Sequence, residues 1–193
     1  MIKAQNFPYV TTAVSEKAFK MHYQLYERYV NKVNEILEKM TRASLDDANN
    51  LYSHIRALKM ELSYNLDAVI YHEHYFKALG DGKDQPGQGF IKLVKKDFGS
   101  FEAWAKDFEA AALSARGWAL CCYEQRTCRI LNTVQDTYSD NVIVNAYPLL
   151  SIDLFEHGRV LDYGPDIKAY VSASMKAIKW PVIEQRCKLL EGN

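Results

Sequence analysis

Five histidines occur in the 193-residue sequence, at His22, His54, His72, His74 and His157. Imidazoles are the commonest metal ligands and proton carriers near neutral pH. His22 and His72 each fall on the apolar stripe of a long segment with helical periodicity. A titratable ring there is costly to bury unless its nitrogens are satisfied. Taken singly, each reads as a hydrogen-bonded core histidine; taken together, on two helices that could face each other, they suit a metal site in a bundle core. The His72-Glu73-His74 run cannot chelate from a helix, because positions two apart point roughly 200° away from each other. Stripe phase selects His72 and sends His74 to the opposite side, towards a solvated or supporting role, while His54 lies on a flank. In the run Asp153-Leu154-Phe155-Glu156-His157, an acid interrupts an apolar strand and a histidine follows four residues later. A buried Asp153 needs a cation or several donors; its plainer reading is a helix-capping carboxylate. Three imidazoles and one carboxylate form a sulfur-free donor set that suits manganese or iron better than structural zinc.

The elements that would position these groups can be read from spacing. Over 15–40, Phe19, His22, Tyr26, Tyr29, Val33, Ile36 and Met40 recur at steps of three and four. After a turn at 41–44, Ser44 with Asp47 resembles a capping box. It opens a second stripe of Leu51, Ile55, Leu58, Leu62, Val69, His72, Phe76 and Leu79. That stripe stops at Gly80-Asp81-Gly82, where glycine can adopt the left-handed cap. Two such helices imply an antiparallel hairpin, residues 1–82. The proline- and glycine-rich stretch 83–89 predicts a boundary, with a second unit over 83–193. This second unit reads as helices at 90–96 and 101–114, a β-hairpin of 118–123 and 128–133, a strand at 148–155 and helical spacing over 166–190. The class is therefore α+β, an N-terminal antiparallel hairpin of long helices followed by an α/β unit with a small three-stranded antiparallel sheet.

Composition excludes several functions. Lys plus Arg, 24, balances Asp plus Glu, 24, so no global field favours nucleic acid or an anionic membrane. No continuous apolar stretch reads as a signal sequence or a membrane span. Cys121, Cys122, Cys128 and Cys187 lack paired zinc spacing and read as reduced, mostly buried thiols of a cytoplasmic protein.

Nearly the whole chain resembles the iron/manganese superoxide dismutase family. The resemblance is carried by HYQLYERYVNKVN at 22–34, YHEHYFKALG at 71–80, FGSFEAWAKDFEAAALSARGWAL at 98–120, NTVQD at 132–136 and PLLSIDLFEH at 148–157. It implies metal ligation by His22, His72, Asp153 and His157, the same four residues the donor chemistry selects. A fifth position would be held by water or hydroxide. The implied reaction consumes two superoxide anions and yields dioxygen and hydrogen peroxide at one manganese or iron ion per subunit. By the same resemblance an outer glutamine tunes the ion. In manganese-type members it comes from the loop after the hairpin, where this chain has Gln135; in many iron-type members it stands four residues before the second histidine ligand, here Ala68. Manganese is thereby slightly favoured. Glu156 would reach across a homodimer to the partner's His157, and no nucleic acid or membrane partner is implied.

The sequence departs from the family pattern mainly around the substrate gate. Tyr26 stands where a histidine is usual, and the gate tyrosine would fall on Val30 unless helix 1 lacks the family's one-residue π-bulge, in which case Tyr29 takes the role. Phe76, Phe155 and Leu120 replace tryptophans, Val160 replaces an interface tyrosine and Asp166 replaces an arginine beside the funnel. These changes predict an active but slower enzyme. The alternative is a protein of the same fold with reduced or lost activity, kept for a metal-binding or structural role.

Overall fold

In the computed structural model, residues 1–190 are described. Two 25-residue helices, α1 (Glu16–Met40) and α2 (His54–Ala78), pack along each other. Ring contacts pair Phe19 with Phe76 and His22 with His72, so the two helices run antiparallel. Ser15 caps α1 by accepting a hydrogen bond from the Ala18 amide, and the helix continues without a π-turn. The first 14 residues are extended along this hairpin. Ile2 exchanges hydrogen bonds with the Asn34 side chain, and Phe7 stacks on Phe76.

The second helix differs from expectation at both ends. It begins at His54, not near Ser44, and Leu51 is 75% exposed. Local side-chain bonds explain the delay: Ser44 Oγ accepts from the Asp46 amide, and Asn49 Oδ1 accepts from the Leu51 and Tyr52 amides. Such bonds offer the backbone an alternative to helix. At the other end no left-handed glycine caps α2. Instead, Leu79 turns extended (φ −74°, ψ 127°) and bridges to Ile178.

Helices α3 (Gln88–Phe98) and α4 (Phe101–Ser114) follow, then strands β1 (Trp118–Glu124), β2 (Arg129–Gln135) and β3 (Ala146–Asp153). The antiparallel sheet has the order β2-β1-β3. Its hairpin turn is held by Glu124, whose carboxylate accepts from the Arg126 and Thr127 amides at 2.7 and 2.8 Å. β2 runs two residues further than the spacing indicates, so Gln135 ends a strand and does not lie in the loop beyond it. Strand β3 correspondingly starts at Ala146 and stops at Asp153. The final helical region is three helices: α5 (Glu156–Tyr163), unanticipated as a separate element, α6 (Ile167–Lys176) and α7 (Trp180–Leu190), the last two parted by the Ile178 bridge. The proposed unit 83–193 ends in three residues that lie outside the described ones.

One apolar core runs through both the helices and the sheet, and α2 lies against β3. Arg186 of α7 ties these two together. Its buried guanidinium donates to the Leu149 carbonyl (2.6 Å) and the His74 carbonyl (3.0 Å). Burial lowers its pKa to about 10, which still leaves it charged at neutral pH. No described helix is long and apolar enough to cross a membrane.

Candidate metal centre

The sheet register sets the first part of the site. Trp118 lies opposite Gln135 on one side and Asp153 on the other, so the three side chains stand together on one face. Beyond Asp153 the chain turns at once. Asp153 Oδ1 accepts from the Phe155 amide at 2.9 Å, which aims Oδ2 away from the turn and starts α5 with His157 in its first turn. Two glycines make this geometry possible. A Cβ on Gly117 would come within 2.8 Å of the Gln135 carbonyl oxygen, and one on Gly158 within 3.1 Å of the Asp153 carbonyl oxygen.

The helices supply the rest. His22 Nε2, His72 Nε2 and His157 Nε2 lie 3.0, 3.8 and 2.9 Å from Asp153 Oδ2. All four donor atoms fall within 4.8 Å of one another. His22, His72 and Asp153 are buried, and only the His157 side chain, 30% exposed, reaches towards solvent. Burial drives His72 down to about 3, with the neighbouring His22 adding to the effect. Burial also lowers His22, against the opposing pull of Asp153. Burial alone would raise the Asp153 carboxyl, but attraction to His157 and His22, with the hydrogen bond between His157 and Asp153, holds it below the ordinary range.

The donor set fits a metal ion. His72 Nδ1 donates to the Ala68 carbonyl at 2.6 Å, so its Nε2 carries a lone pair. His22 Nε2 and His72 Nε2 are both buried without a hydrogen-bond partner. Donors bonded to one ion at about 2.1 Å lie within roughly 4.2 Å of one another, so little inward movement is needed.

Around this cluster the predicted residues separate. Tyr29 faces the site, with its ring 5.5 Å from that of His72. Tyr26 is buried beside it, but its hydroxyl is committed elsewhere, accepting from the Gln5 amide (2.8 Å) and donating to Glu73 (2.9 Å). Gln135 is buried, yet its Nε2 donates to the Tyr71 hydroxyl at 3.0 Å and its Oε1 is unpartnered. Burial raises the Tyr71 phenol to about 12 despite that bond. Glu156 is exposed at the start of α5. His74 is turned away from the cluster as the stripe phase requires, but it is half-buried against Tyr147 of β3 and not solvated. His54 is exposed. Asp166 caps α6 through the Ala169 amide, and Cys128 is exposed where the other three thiols are buried.

Two neighbours escaped the sequence reading. Tyr71 is off the helix stripe because it faces the sheet, in ring contact with Trp118. Tyr138 lies in an aperiodic polar segment, where no spacing marks burial, yet it is 1% exposed and packs on His72, Tyr29 and Phe155. Burial and then the Asp153 charge raise its phenol.

The sequence matches a family profile and several curated proteins. The family profile "Iron/manganese superoxide dismutases, C-terminal domain" matches residues 86–186. The chain is 33% identical over 189 residues to "Superoxide dismutase [Fe]" of Aquifex aeolicus, covering 96% of this chain and 87% of that one. It is 32% identical over 169 residues to "Superoxide dismutase [Mn] 2" of Haloferax volcanii, covering 86% and 83%. With "Superoxide dismutase [Fe]" of Cupriavidus metallidurans, identity is 34% over 177 residues, covering 90% and 88%. By this coverage and identity, the chain belongs to the iron/manganese superoxide dismutase family.

Proposed function

We propose that the protein disproportionates superoxide to dioxygen and hydrogen peroxide, with one manganese or iron ion held by His22, His72, Asp153 and His157. The convergence of three imidazole nitrogens on Asp153 Oδ2, two of them buried and unpartnered, carries this reading. The bound ion supplies one-electron redox cycling. The protein's own groups do the rest. Ala68 fixes the His72 tautomer, and the Phe155 amide fixes the carboxylate, so the donors are oriented before any ion arrives. Phe76, Trp118 and Phe155 crowd the imidazoles and exclude bulk water. Tyr29, half-buried beside His72, borders the access side and takes the gate role, holding a proton at its hydroxyl. Tyr26 braces the hairpin behind it through Gln5 and Glu73. Gln135 acts from the sheet side through Tyr71, the neighbour of His72.

The nitrogen and oxygen donor set serves both metals, and relatives named for each match this chain. Gln135, rather than position 68, provides the amide near the site, and this tilts the reading towards manganese. A homodimer joined through Glu156 and the partner's His157 is supported by the exposed Glu156 and by Val160 and Leu161, 49% and 45% exposed on the same short helix. Cys121, Cys122 and Cys128 form no disulfide, which suits a cytoplasmic location. Elemental analysis of the purified protein together with a superoxide-consumption assay tests the function. The expected result is one ion per chain and catalysed superoxide loss; an ion without activity would leave a metal-binding protein of this fold.

A further inference from the structure

Between α2 and the sheet lies a cavity of about 170 Å³, and none of the four donors lines it. The strand pairing sets Leu120 and Gln135 on one sheet face, and Asp67 and Tyr71 of α2 close the space opposite them. Its mouth is apolar: Ile70, Val142 and Ile143 line it and are 42%, 45% and 36% exposed. Two acceptors in this wall lack donors. Gln135 is buried; its Nε2 donates to the Tyr71 hydroxyl, but its Oε1 has no partner. A buried oxygen left in that state is costly enough to call for a donor. Asp67 is half-buried, and no described cation forms an ion pair with it; burial raises its carboxyl unopposed. Hydrocarbon walls with two unmet acceptors and no facing cation suit a ligand that joins an apolar body to a positively charged donor.

We propose that this cavity binds a small primary amine with an apolar body the size of one ring, the body among Leu120, Ile70 and Ile143 and the ammonium at Asp67. Roughly 150 Å³ of aliphatic-lined space accommodates one benzene molecule, so the volume here admits a ring and little more. An ammonium carries three N–H donors and can serve more than one acceptor. The occupant would touch the Gln135–Tyr71 pair and none of the four donors, so the site stands whether or not the metal-centre reading holds.

The test is calorimetric titration of the purified protein with benzylamine, and with benzyl alcohol as its uncharged counterpart. Benzylamine should bind one molecule per chain with a Kd below about 1 mM. The alcohol should bind about tenfold more weakly, because a charge-assisted hydrogen bond is lost. Asp67→Asn should weaken the amine by about the same factor and leave the alcohol unchanged. Leu120→Phe fills the cavity and should abolish binding of both. Its thermal transition reports whether it folds, and Ala146→Leu, at the half-buried edge of the same cavity, takes its place if it does not. Wild type that shows no saturable binding up to several millimolar overturns the proposal, as does amine binding that either Asp67→Asn or the filled cavity leaves unchanged. An alcohol bound as tightly as the amine overturns the assignment of ligand class.

Discussion

The sheet side and the hairpin side of the centre are built by different means. Asp153 and His157 are placed by backbone: a strand register, an amide bonded to a carboxylate oxygen, and a glycine that lets α5 press against Asp153. His22 and His72 are placed by side-chain packing, in a cluster of rings that includes Phe76 and Tyr75. Backbone placement tolerates little, because a shifted strand or turn carries its side chain with it. Ring packing can absorb change, since neighbouring aromatics exchange volume at modest cost. Phe76, Phe155 and Tyr26, where the resemblance implies two tryptophans and a histidine, pack against the donor imidazoles.

The comparison breaks most completely if a donor itself is dispensable. His72→Ala should abolish metal uptake and superoxide consumption together while circular dichroism retains the helical signal. Retained activity would mean that the hairpin side does not hold the ion. On the sheet side, Gly158→Ala asks whether backbone contact is as critical as claimed. Alanine gains about 1 kcal/mol of helix propensity, but its Cβ would sit 3.1 Å from the Asp153 carbonyl oxygen and 3.3 Å from Asp153 Cγ. Metal affinity should fall by roughly 10–100-fold, as for other groups that orient a ligand.

Acid should act on the metal-free protein through the hairpin side. The His72 pKa is lowered from 6.5 to about 3 by burial, so the folded state refuses a proton that the unfolded chain accepts. Stability is fully present above pH 6.5 and is lost as the pH falls towards 3, by a few kcal/mol in denaturant titrations. Asp153, also held low, pushes in the same direction. Metal should protect, because the ion competes with protons for the same nitrogens.

Tyr26→Phe removes a hydroxyl bonded to Gln5 and Glu73, which do not touch the ion. It should cost about 1–3 kcal/mol of stability and change turnover little, whereas a large loss of turnover would place Tyr26 in the gate. The smallest effect is expected from Asp166→Asn. Asparagine still caps α6, and removal of one negative charge should raise association of the anionic substrate at low salt by less than about tenfold.

The donor set was legible because its chemistry is expensive to bury: two histidines on apolar stripes and an acid within an apolar strand each call for an explanation. Long amphipathic helices and a hairpin with a polar turn were legible for the same reason, as their periodicity reports burial. The start of α2 was obscured by Ser44 and Asn49, whose side chains bond to their own backbone. Tyr71 and Tyr138 were obscured because contacts across the sheet and from an irregular segment leave no spacing in the chain.

Superoxide consumption measured as metal-free protein is titrated with manganese or iron tests the central claim most directly. The account predicts activity that rises in proportion to added ion and stops rising at one ion per chain. A filled site that consumes no superoxide, or activity with no break at that ratio, would contradict it.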